Sequence, residues 1–430
     1  MTERIGKYEL KRELGRGATA TVWLAHDPFA DRDVAIKAVD TSAFANGERG
    51  QIARKLFITE ASLAGKLQHP HIVQIYDAVA NADPSYIVME YVEGTTLEPF
   101  AVPENLLSLP DVVEMIFKCS RALDYAHRLG VIHRDLKPAN ILRVGDGGTD
   151  VKISDFGAAL SVSSDQTQVS GIGSPAYMSP EQIREQNLNQ QSDIFSMGVV
   201  LYQLLTGHLP FTGSSHIGIA FNICNTDPPP PSSLRADLPP QLDAIVAKAM
   251  RKSCQQRYGN WEEFSFDLAE VFRSANMAAL REAHVGDSDK FNLLRSLPFF
   301  RGFSDVEIWE MLRFSQWRRV TAGDVLMREG DAGQDFCVLA EGSVKITKQG
   351  KLLNVLSAGD CFGEMAYLAP ERGARTADVV AMGDGLIITV GTEALAHASE
   401  ATRHSVDRAF LRILAERLDL ANTRLTTAVL

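Results

Sequence analysis

The chain contains 430 residues, of which 45% are hydrophobic and 23% are charged, and its formal net charge is −11. This length exceeds what a single hydrophobic core usually holds, and it predicts about three structural units. The composition is that of globular proteins. The acidic balance argues against nucleic-acid binding, which requires a basic surface.

The five cysteines are scattered along the chain, and no two of them form a C-x-x-C pair. We therefore expect neither a disulfide framework nor a zinc site. The first residues are charged and form no signal segment, and the longest apolar run, within residues 194–205, is too short to span a bilayer. These features predict a soluble cytoplasmic protein with no membrane partner.

Strand-like patterns dominate residues 8–92, with one helical interruption near residues 54–67, and helical periods dominate residues 111–273. A β-rich lobe is thus followed by an α-rich lobe. Residues 227–233 include four consecutive prolines, which exclude helix and central strand. We expect a rigid loop there, and a proline-rich ligand for a partner domain is the alternative.

The last third of the chain has a different pattern. Residues 274–290 are rich in alanine and charged residues and predict a helical or extended connector. Short β-rich runs then alternate with turns such as Gly323-Asp324 and Gly359-Asp360, which indicates a small sandwich or barrel. Residues 404–425 are helical again.

The segment His133–Asn140 carries a base candidate, a cation and an amide able to hold a metal ion, and Asp155-Phe156-Gly157 follows it. These two signatures resemble those of the protein kinases. The resemblance implies an α+β fold with two lobes, a β-rich N-lobe at residues 8–92 and a helical C-lobe at residues 93–273. It also implies an ATP-dependent phosphotransferase that uses Mg²⁺, with Mn²⁺ as the alternative ion.

The same resemblance implies roles for single residues. Asp135 would orient the substrate hydroxyl and accept its proton, a contribution typically worth about 10²–10⁴-fold in rate. Lys137 would neutralise the γ-phosphoryl group. Asn140 and Asp155 would hold the metal ion through oxygen atoms.

The N-lobe carries the expected ATP site. Lys37 would hold the α- and β-phosphates, and Glu60 would fix the lysine in place. The glycine-rich loop begins at Gly15 and lets backbone amides approach the phosphates, although Ala20 stands where kinases have a third glycine. Residues 89–92 resemble the hinge whose backbone binds adenine. The predicted ATP-binding residues are Gly15, Gly17, Val22, Ala35, Lys37, Met89, Glu90 and Val92.

The position of Lys137, two residues after Asp135, resembles the arrangement in Ser/Thr-specific kinases. Residues 173–181 close the activation segment, with Ser174 where the family usually has threonine. The serine hydroxyl can still bridge the aspartate and the lysine. The resemblance therefore implies protein substrates that are phosphorylated on serine or threonine.

Three further residues would support the helical lobe. Glu181 would pair with Arg257, and Asp193 would brace the backbone of the catalytic loop. These are structural roles rather than chemical ones.

Arg134 directly precedes the proposed base, and in kinases of this type a phosphate on the activation loop pairs with this arginine. Thr167 and Ser170 are the candidate phosphorylation sites. The alternative acceptors are Ser161, Ser163 and Ser164.

Residues 362–368 read Phe-Gly-Glu-Met-Ala-Tyr-Leu, and Arg375-Thr376-Ala377 follow. This pattern resembles the phosphate-binding segment of cyclic nucleotide-binding domains, and it implies a β-jelly-roll with flanking helices at residues 291–430. Arg375 can fork to the phosphate oxygens, and Glu364 can accept from the ribose 2′-hydroxyl. The predicted nucleotide-binding residues are Gly363, Glu364, Met365, Ala366, Arg375 and Thr376. The pattern leaves cyclic AMP and cyclic GMP undecided.

A leucine-rich stripe marks the terminal helix. Its members, spaced by three and four positions, are Leu411, Leu414, Leu418, Ala421 and Leu425. The stripe could cover the nucleotide pocket as a lid, pair with a second chain as a homodimer seam, or pack on its own domain. Packing on its own domain is the favoured interpretation.

Together these resemblances predict a Ser/Thr protein kinase that a C-terminal cyclic-nucleotide sensor regulates in cis. Two alternatives are open. The chain could be a nucleotide-responsive scaffold with an inactive kinase fold, a hypothesis that rests on Ala20 and Ser179 departing from the family pattern. It could also be a constitutive kinase whose second domain only dimerises.

Overall fold

The computed structural model describes residues 3–17, 20–39, 54–55, 57–63, 65–80, 83–156, 160–161, 175–273, 286–368 and 374–428. The chain divides into two compact units between His284 and Val285. This division falls inside the predicted connector at residues 274–290, most of which lies outside the described residues. Within the described part of the chain, no helix combines the length and the apolar character that a membrane span requires.

The N-lobe is built on one antiparallel sheet in the order β1-β2-β3-β4-β6-β5. Strand β4 is central and largely buried, because Val34 and Ile36 pack on one side of the sheet and Val39 packs on the other. Helical residues 54–55 and 57–61 lie on the latter side through Phe57. The strands are β1 (Arg4–Ile5), β2 (Tyr8–Arg16), β3 (Ala20–Asp27), β4 (Arg32–Val39), β5 (Ile75–Val79) and β6 (Ser85–Glu90).

The C-lobe is helical, and its core is the largest apolar cluster of the described residues. The Ser108 hydroxyl caps the first helix by accepting from the Asp111 amide, and Gly207 ends the third helix in a left-handed conformation with φ of 74°. The helices are α1 (Leu109–Arg128), α2 (Pro180–Ile183), α3 (Gln190–Thr206), α4 (His216–Asn225), α5 (Pro240–Ala249) and α6 (Trp261–Arg273). The apolar run in residues 194–205 forms most of α3 and is almost wholly buried, as expected for a core helix.

Short strands position the loops of the cleft. These strands are β7 (Gly94–Thr96), β8 (Val131–Ile132), β9 (Ile141–Val144), β10 (Val151–Ile153) and β11 (Leu160–Ser161). Strands β9 and β10 form an antiparallel pair in which Ile141 is opposite Ile153. Because Asn140 precedes β9 and Ser154 follows β10, the two residues meet at one end of the hairpin, where the Ser154 amide donates to the Asn140 carbonyl at 2.9 Å.

The second unit contains two four-stranded antiparallel sheets, in the orders β12-β19-β14-β17 and β13-β18-β15-β16. Their facing side chains form one apolar core, so the unit is a sandwich. The strands are β12 (Ser315–Val320), β13 (Val325–Met327), β14 (Phe336–Glu341), β15 (Ser343–Lys348), β16 (Lys351–Ser357), β17 (Cys361–Phe362), β18 (Asp378–Ala381) and β19 (Gly385–Val390).

Along the chain, helices precede and follow the strands of this sandwich, and one short helix lies between β17 and β18. They are α7 (Asp287–Ser296), α8 (Asp305–Phe314), α9 (Glu364–Leu368), α10 (Thr392–Ala396) and α11 (Glu400–Ala428). Phe410 of α11 packs against Phe299, Phe336 and Tyr367, with ring centroids 4.9 to 5.4 Å apart. This aromatic cluster fixes the start of α11 to the sandwich.

Two expectations from the sequence are wrong. The stripe of α11 does not begin in the core, because Leu411 is 65% exposed and Leu414 is 36% exposed, whereas Val406 and Phe410 are buried. The side chains of Leu418, Ala421 and Leu425 lie outside the described residues. In the proline-rich segment, Pro231–Ser233 forms a short 3-10 helix. Proline is tolerated there because the first residue of a helix has no hydrogen-bond partner for its N–H group.

Candidate functional site

A cavity of about 510 Å³ lies between the N-lobe sheet and the β9–β10 hairpin. All of the predicted ATP-binding residues except Gly17 line this cavity. Its lining also includes residues outside this predicted set, among them Leu14, Val73, Tyr91, Thr96, Ala139, Leu142 and Ser154. The cavity thus has apolar walls from both lobes and polar groups at one end, as nucleotide sites usually do.

Lys37 is the centre of a charged cluster at the polar end of the cavity. Its Nζ lies 2.7 Å from Oε2 of Glu60 and 2.6 Å from Oδ1 of Asp155. Strand β4 directs the lysine into the cleft, because Lys37 pairs with Val22 on one side and with Ile87 on the other. The structure therefore brings together three residues that are far apart in the sequence.

These ionic contacts shift the pKa values of the cluster. Burial lowers the pKa of Lys37, but attraction to Glu60 and Asp155 outweighs it, so the net pKa is raised. Burial raises the pKa of Asp155, and attraction and hydrogen bonding to Lys37 more than reverse this. For Glu60, burial is the stronger influence and the pKa is raised. The lysine and Asp155 are therefore held as an ion pair.

The catalytic loop brings Asp135, Lys137 and Asn140 together. The Lys137 ammonium donates to Oδ2 of Asp135 at 2.7 Å. The Asn140 amide Nδ2 donates to the backbone oxygen of Asp135 at 2.7 Å and to Oδ2 at 3.1 Å. The base candidate is thus oriented by two donors from its own loop, and its side chain is 15% exposed.

The residues present fit a bound Mg²⁺ ion. Asn140 uses its amide nitrogen on Asp135, which leaves its amide oxygen without a protein donor among the described residues. Asp155 uses Oδ1 on Lys37, and its other carboxylate oxygen has no partner in the described part of the chain. One carboxylate oxygen and one amide oxygen are a donor set that suits Mg²⁺, which keeps phosphate and water as its remaining ligands.

Asp193 fixes the backbone of the catalytic loop. Its two carboxylate oxygens accept from the backbone amides of His133 and Arg134 at 2.8 and 2.9 Å. The His133 ring packs against buried Phe156 in a tilted arrangement with centroids 4.5 Å apart, and its Nε2 contacts the Ser154 carbonyl at 3.0 Å. The catalytic loop and the Asp155 segment are therefore joined through one histidine.

Two residues of the site have left-handed backbone conformations. The φ angle is 71° at Arg134 and 64° at Asp155. Non-glycine residues rarely adopt such angles, and the surrounding contacts must hold them in place.

The end of the activation segment is fixed to the helical lobe. Arg257 donates to both oxygens of Glu181 at 2.6 and 2.7 Å, and the pair is buried. Gln182 donates from Nε2 to the Arg134 carbonyl at 2.8 Å. The predicted phosphorylation sites Thr167 and Ser170, and also Ser174, lie outside the described residues.

The hinge and the glycine-rich loop complete the cavity. Strand β6 ends at Glu90, whose amide donates to the Gln74 carbonyl at 2.8 Å. Among the described residues the Val92 amide has no hydrogen-bond partner, so it is available to a ligand. Gly17 lies outside the cavity lining, and its amide donates to the carbonyl of Ala20 at 2.8 Å.

A smaller cavity, of about 220 Å³, lies in the second unit. Its lining includes Gly363, Glu364, Met365, Arg375 and Thr376, which are five of the six predicted residues. The backbone of Ala366 belongs to α9, and its side chain lies outside the described residues. The walls add residues outside the six predicted ones: Met327, Ile346, Lys348, Leu353, Phe362, Ala374, Ala377 and Val379.

Gly363 and Arg375 approach each other closely in this pocket. Gly363 has a φ of 76°, and a Cβ atom there would meet the Met327 methyl group at 2.6 Å and Nη1 of Arg375 at 3.0 Å. Nη1 donates to the Asp335 carbonyl at 2.6 Å, which fixes the guanidinium. Only glycine therefore fits at residue 363.

The terminal helix contacts this pocket through Arg417. Nη1 of Arg417 donates to Oε1 of Glu364 at 2.7 Å, and Nη2 donates to the Cys361 carbonyl at 2.6 Å. One turn further along α9, the Tyr367 hydroxyl donates to Oδ1 of Asp407 at 2.8 Å. Helix α9 is thus attached to α11 at two points, which no sequence motif had indicated.

The fold agrees with comparisons to known proteins. Residues 8–266 match the sequence model of the protein kinase domain, and residues 317–401 match that of the cyclic nucleotide-binding domain. The first match covers more than half of the chain, and the chain belongs to the protein kinase family. The two-lobed kinase fold followed by a cyclic nucleotide-binding domain, as predicted from the sequence, is confirmed.

Bacterial Ser/Thr protein kinases are among its relatives. The chain is 38% identical to the serine/threonine-protein kinase PknB of Mycolicibacterium smegmatis over 305 residues, which is 68% of this chain and 47% of that protein. It is 37% identical to PknB of Mycobacterium tuberculosis over 303 residues, which is 67% of this chain and 46% of the relative. A probable serine/threonine-protein kinase PknB of Lactococcus lactis is 40% identical over 266 residues, which is 61% of this chain and 42% of the relative. The chain spans about half the length of these relatives.

Proposed function

We propose that this chain is an ATP- and Mg²⁺-dependent protein kinase that phosphorylates serine and threonine in proteins and responds to a cyclic nucleotide. One observation carries the catalytic part of the proposal. Lys37, Glu60 and Asp155 line the apolar cavity, and the loop that carries the base candidate Asp135 reaches the same cavity at Ala139.

The arrangement supports in-line phosphoryl transfer. Lys37 is held ready to bind the α- and β-phosphates, since its ammonium is fixed by two carboxylates. Mg²⁺, when bound by Asn140 and Asp155, supplies positive charge against the developing charge on the phosphates. Asp135 orients the substrate hydroxyl and accepts its proton at Oδ1 or Oδ2.

Lys137 supports specificity for serine and threonine. Its ammonium contacts Asp135 at 2.7 Å and is 22% exposed, so it can reach a phosphoryl oxygen beside the base. This placement is consistent with the resemblance to Ser/Thr kinases that the relatives share.

Activation-loop phosphorylation at Thr167 or Ser170 is the proposed switch for the catalytic loop. Arg134 has a left-handed backbone conformation, and its own amide and carbonyl are fixed by Asp193 and Gln182. Burial lowers the pKa of its guanidinium. A partly buried cation in this position favours a phosphate partner. Mass spectrometry of the active protein should find a phosphate on Thr167 or Ser170, and finding neither modified removes this part of the proposal.

The second pocket is the proposed site of the cyclic nucleotide. Arg375 is fixed beside Gly363 for contacts with the cyclic phosphate, and Glu364 is available to the ribose 2′-hydroxyl through the oxygen that Arg417 does not use. Apolar side chains such as Ile346 and Leu353 line the pocket and can pack against the nucleotide base. Cyclic AMP and cyclic GMP both satisfy these contacts.

Regulation in cis would follow if the cyclic nucleotide binds one conformational state of the kinase more tightly than another. A nucleotide that binds one state of the kinase tenfold more tightly shifts the equilibrium by about 1.4 kcal/mol. The attachment of α9 to α11 gives the pocket a mechanical connection to the end of its domain.

The decisive experiment measures transfer from labelled ATP to a generic basic protein with no nucleotide, with cyclic AMP and with cyclic GMP. Activity that changes with a nucleotide supports the full proposal. Arg375→Glu should abolish that response while leaving basal transfer intact. If the variant still responds, regulation does not pass through this pocket.

A nucleotide-responsive scaffold with an inactive kinase fold is the second candidate. Ala20 favours it, since the glycine-rich loop lacks its third glycine and Gly17 donates to Ala20 instead of lining the cavity. This candidate predicts nucleotide binding with no phosphotransfer in the assay above.

A cytoplasmic location and a homodimer through α11 stay predictions from the sequence.

A further inference from the structure

A third cavity, of about 170 Å³, lies in the second unit between α11 and the turn that precedes α8. One side is a single helical face, since Ser405, Arg408, Ala409 and Arg412 follow the i, i+3, i+4, i+7 spacing. The other side is Arg301–Phe303, where Gly302 turns with a φ of 91°. None of these residues lines the cyclic-nucleotide pocket.

Three arginines give this cavity an excess of positive charge. Arg412 is fixed by hydrogen bonds to the carbonyls of Pro298, Phe299 and Arg301 at 2.9 to 3.1 Å. Arg301 and Arg408 have no ion-pair partner in the described part of the chain. A concave cluster of three arginines carries a local excess of positive charge in a chain whose net charge is −11.

The neighbouring carboxylate, Glu307, offsets only part of this positive charge, since one carboxylate faces three guanidinium groups. Glu307 stands at the edge of the cavity, where one oxygen accepts from the Ser405 hydroxyl at 3.0 Å and the other accepts from the Ser304 amide at 2.6 Å. Both of its oxygens are therefore already in use by the α8 cap and by α11.

We propose that this arginine cavity is a binding site for a phosphate dianion. Guanidinium groups match phosphate oxygens in paired hydrogen bonds, and a phosphate carries more charge than a carboxylate against three cations. The cavity has few apolar walls, namely Phe303 and Ala409, so it selects a compact anion rather than a nucleotide base. The phosphate can be free, or it can be the phosphoryl group of a serine or threonine side chain.

Titration calorimetry of the full chain with inorganic phosphate, at constant ionic strength, tests the site. We expect Arg408→Gln to weaken binding by about tenfold or more, the usual effect of losing one charge-assisted hydrogen bond. Arg313→Gln is the matched control, because Arg313 is an exposed arginine on α8 that does not line the cavity. Its phosphate affinity should equal that of the wild type.

A second variant separates this cavity from the cyclic-nucleotide pocket. Arg375→Gln should leave phosphate binding unchanged, and Arg408→Gln should leave cyclic-nucleotide binding unchanged. A short phosphoserine peptide then distinguishes the two sources, since tighter binding of the peptide indicates a protein-borne phosphate and tighter binding of the free ion indicates inorganic phosphate. The inference is overturned if Arg408→Gln binds phosphate as the wild type does, or if only Arg375→Gln loses it.

Discussion

Arg417 on the terminal helix donates to Glu364 of the cyclic-nucleotide pocket at 2.7 Å. The Glu364 side chain is only 12% exposed, so this arginine compensates a nearly buried carboxylate. The pair leaves the second carboxylate oxygen free to accept from a ribose hydroxyl. Ligand site and terminal helix are thus connected by one ion pair.

We expect Arg417→Gln to weaken cyclic-nucleotide binding by about tenfold, because Glu364 loses a charge-assisted hydrogen bond worth about 1.5–3 kcal/mol that orients it. Fluorescence titration with cyclic AMP and cyclic GMP measures the effect. Arg403→Gln, at an exposed arginine of the same helix, is the control and should bind normally. A rise in affinity would instead show that Arg417 competes with the ligand.

Coupling between two sites is reciprocal, so a ligand that uses Glu364 should also stabilise the docking of α11. Hydrogen exchange of the amides in α11 should slow when the nucleotide binds. The slowing should vanish in Arg417→Gln, even at nucleotide concentrations that restore occupancy. Equal slowing in both proteins would assign the coupling to another contact, such as that between Tyr367 and Asp407.

Asp135→Asn should lower the rate of phosphotransfer by about 10²–10⁴-fold while ATP affinity stays close to that of the wild type. The loop should keep its shape, because Asn140 still donates to the backbone oxygen of residue 135. Single-turnover transfer and ATP titration separate the two quantities. Asp146→Asn, at an exposed loop position, is the matched control and should retain full activity.

The pair of Glu181 and Arg257 should dominate the stability of the C-lobe. Removing one partner of a buried ion pair typically costs about 3–5 kcal/mol, so Glu181→Gln should lower the free energy of unfolding by about that amount. Urea unfolding measures it. Asp33→Asn breaks the exposed pair with Lys11 and should change stability by less than about 1 kcal/mol. Similar losses in both variants would contradict the proposed role.

Lys252 should give the C-lobe a pH-dependent stability. Burial lowers the pKa of its ammonium to about 8, against the attraction of Asp227. Its Nζ is buried without a hydrogen-bond partner among the described residues and lies 4.1 Å from the ring centroid of Phe211. Between pH 8 and the usual lysine value of 10.5, the unfolded chain binds a proton that the folded chain has released. Wild-type stability therefore rises with pH across this window.

Lys252→Met should accordingly raise the free energy of unfolding at pH 7 by about 1 kcal/mol, since a buried unpaired charge is replaced by an apolar side chain. This advantage should shrink as the pH rises from 8 to 10. Urea unfolding at several pH values measures the difference between the two proteins. Lys66→Met, at an exposed lysine, should show no such trend.

The sequence predicted the ion pair of Lys37 and Glu60 because both residues belong to motifs with fixed spacing, and the structure brings them to 2.7 Å. It did not predict the contact of Arg417 with Glu364, since an arginine on a helical surface carries no signal of its partner. The error at Leu411 has a related cause. Helical periodicity shows that a stripe exists, but the aromatic contacts of Phe410 decide which face of α11 turns inward.

Backbone conformation was also beyond sequence reasoning. Arg134 and Asp155 have left-handed backbone angles, and each contacts a residue from a distant segment, Asp193 and Lys37 respectively. Such strain depends on contacts between segments that are distant in the chain, and it is visible only once those segments are assembled.

The length of α11 gives its two attachments to α9 a further consequence. The helix has 29 residues and, at 1.5 Å per residue, extends about 43 Å. Asp407 and Arg417, through which α11 contacts α9, both lie in the first two thirds of the helix. A rotation of α9 that carried α11 with it would therefore move the far end of the helix more than the residues beside the sandwich.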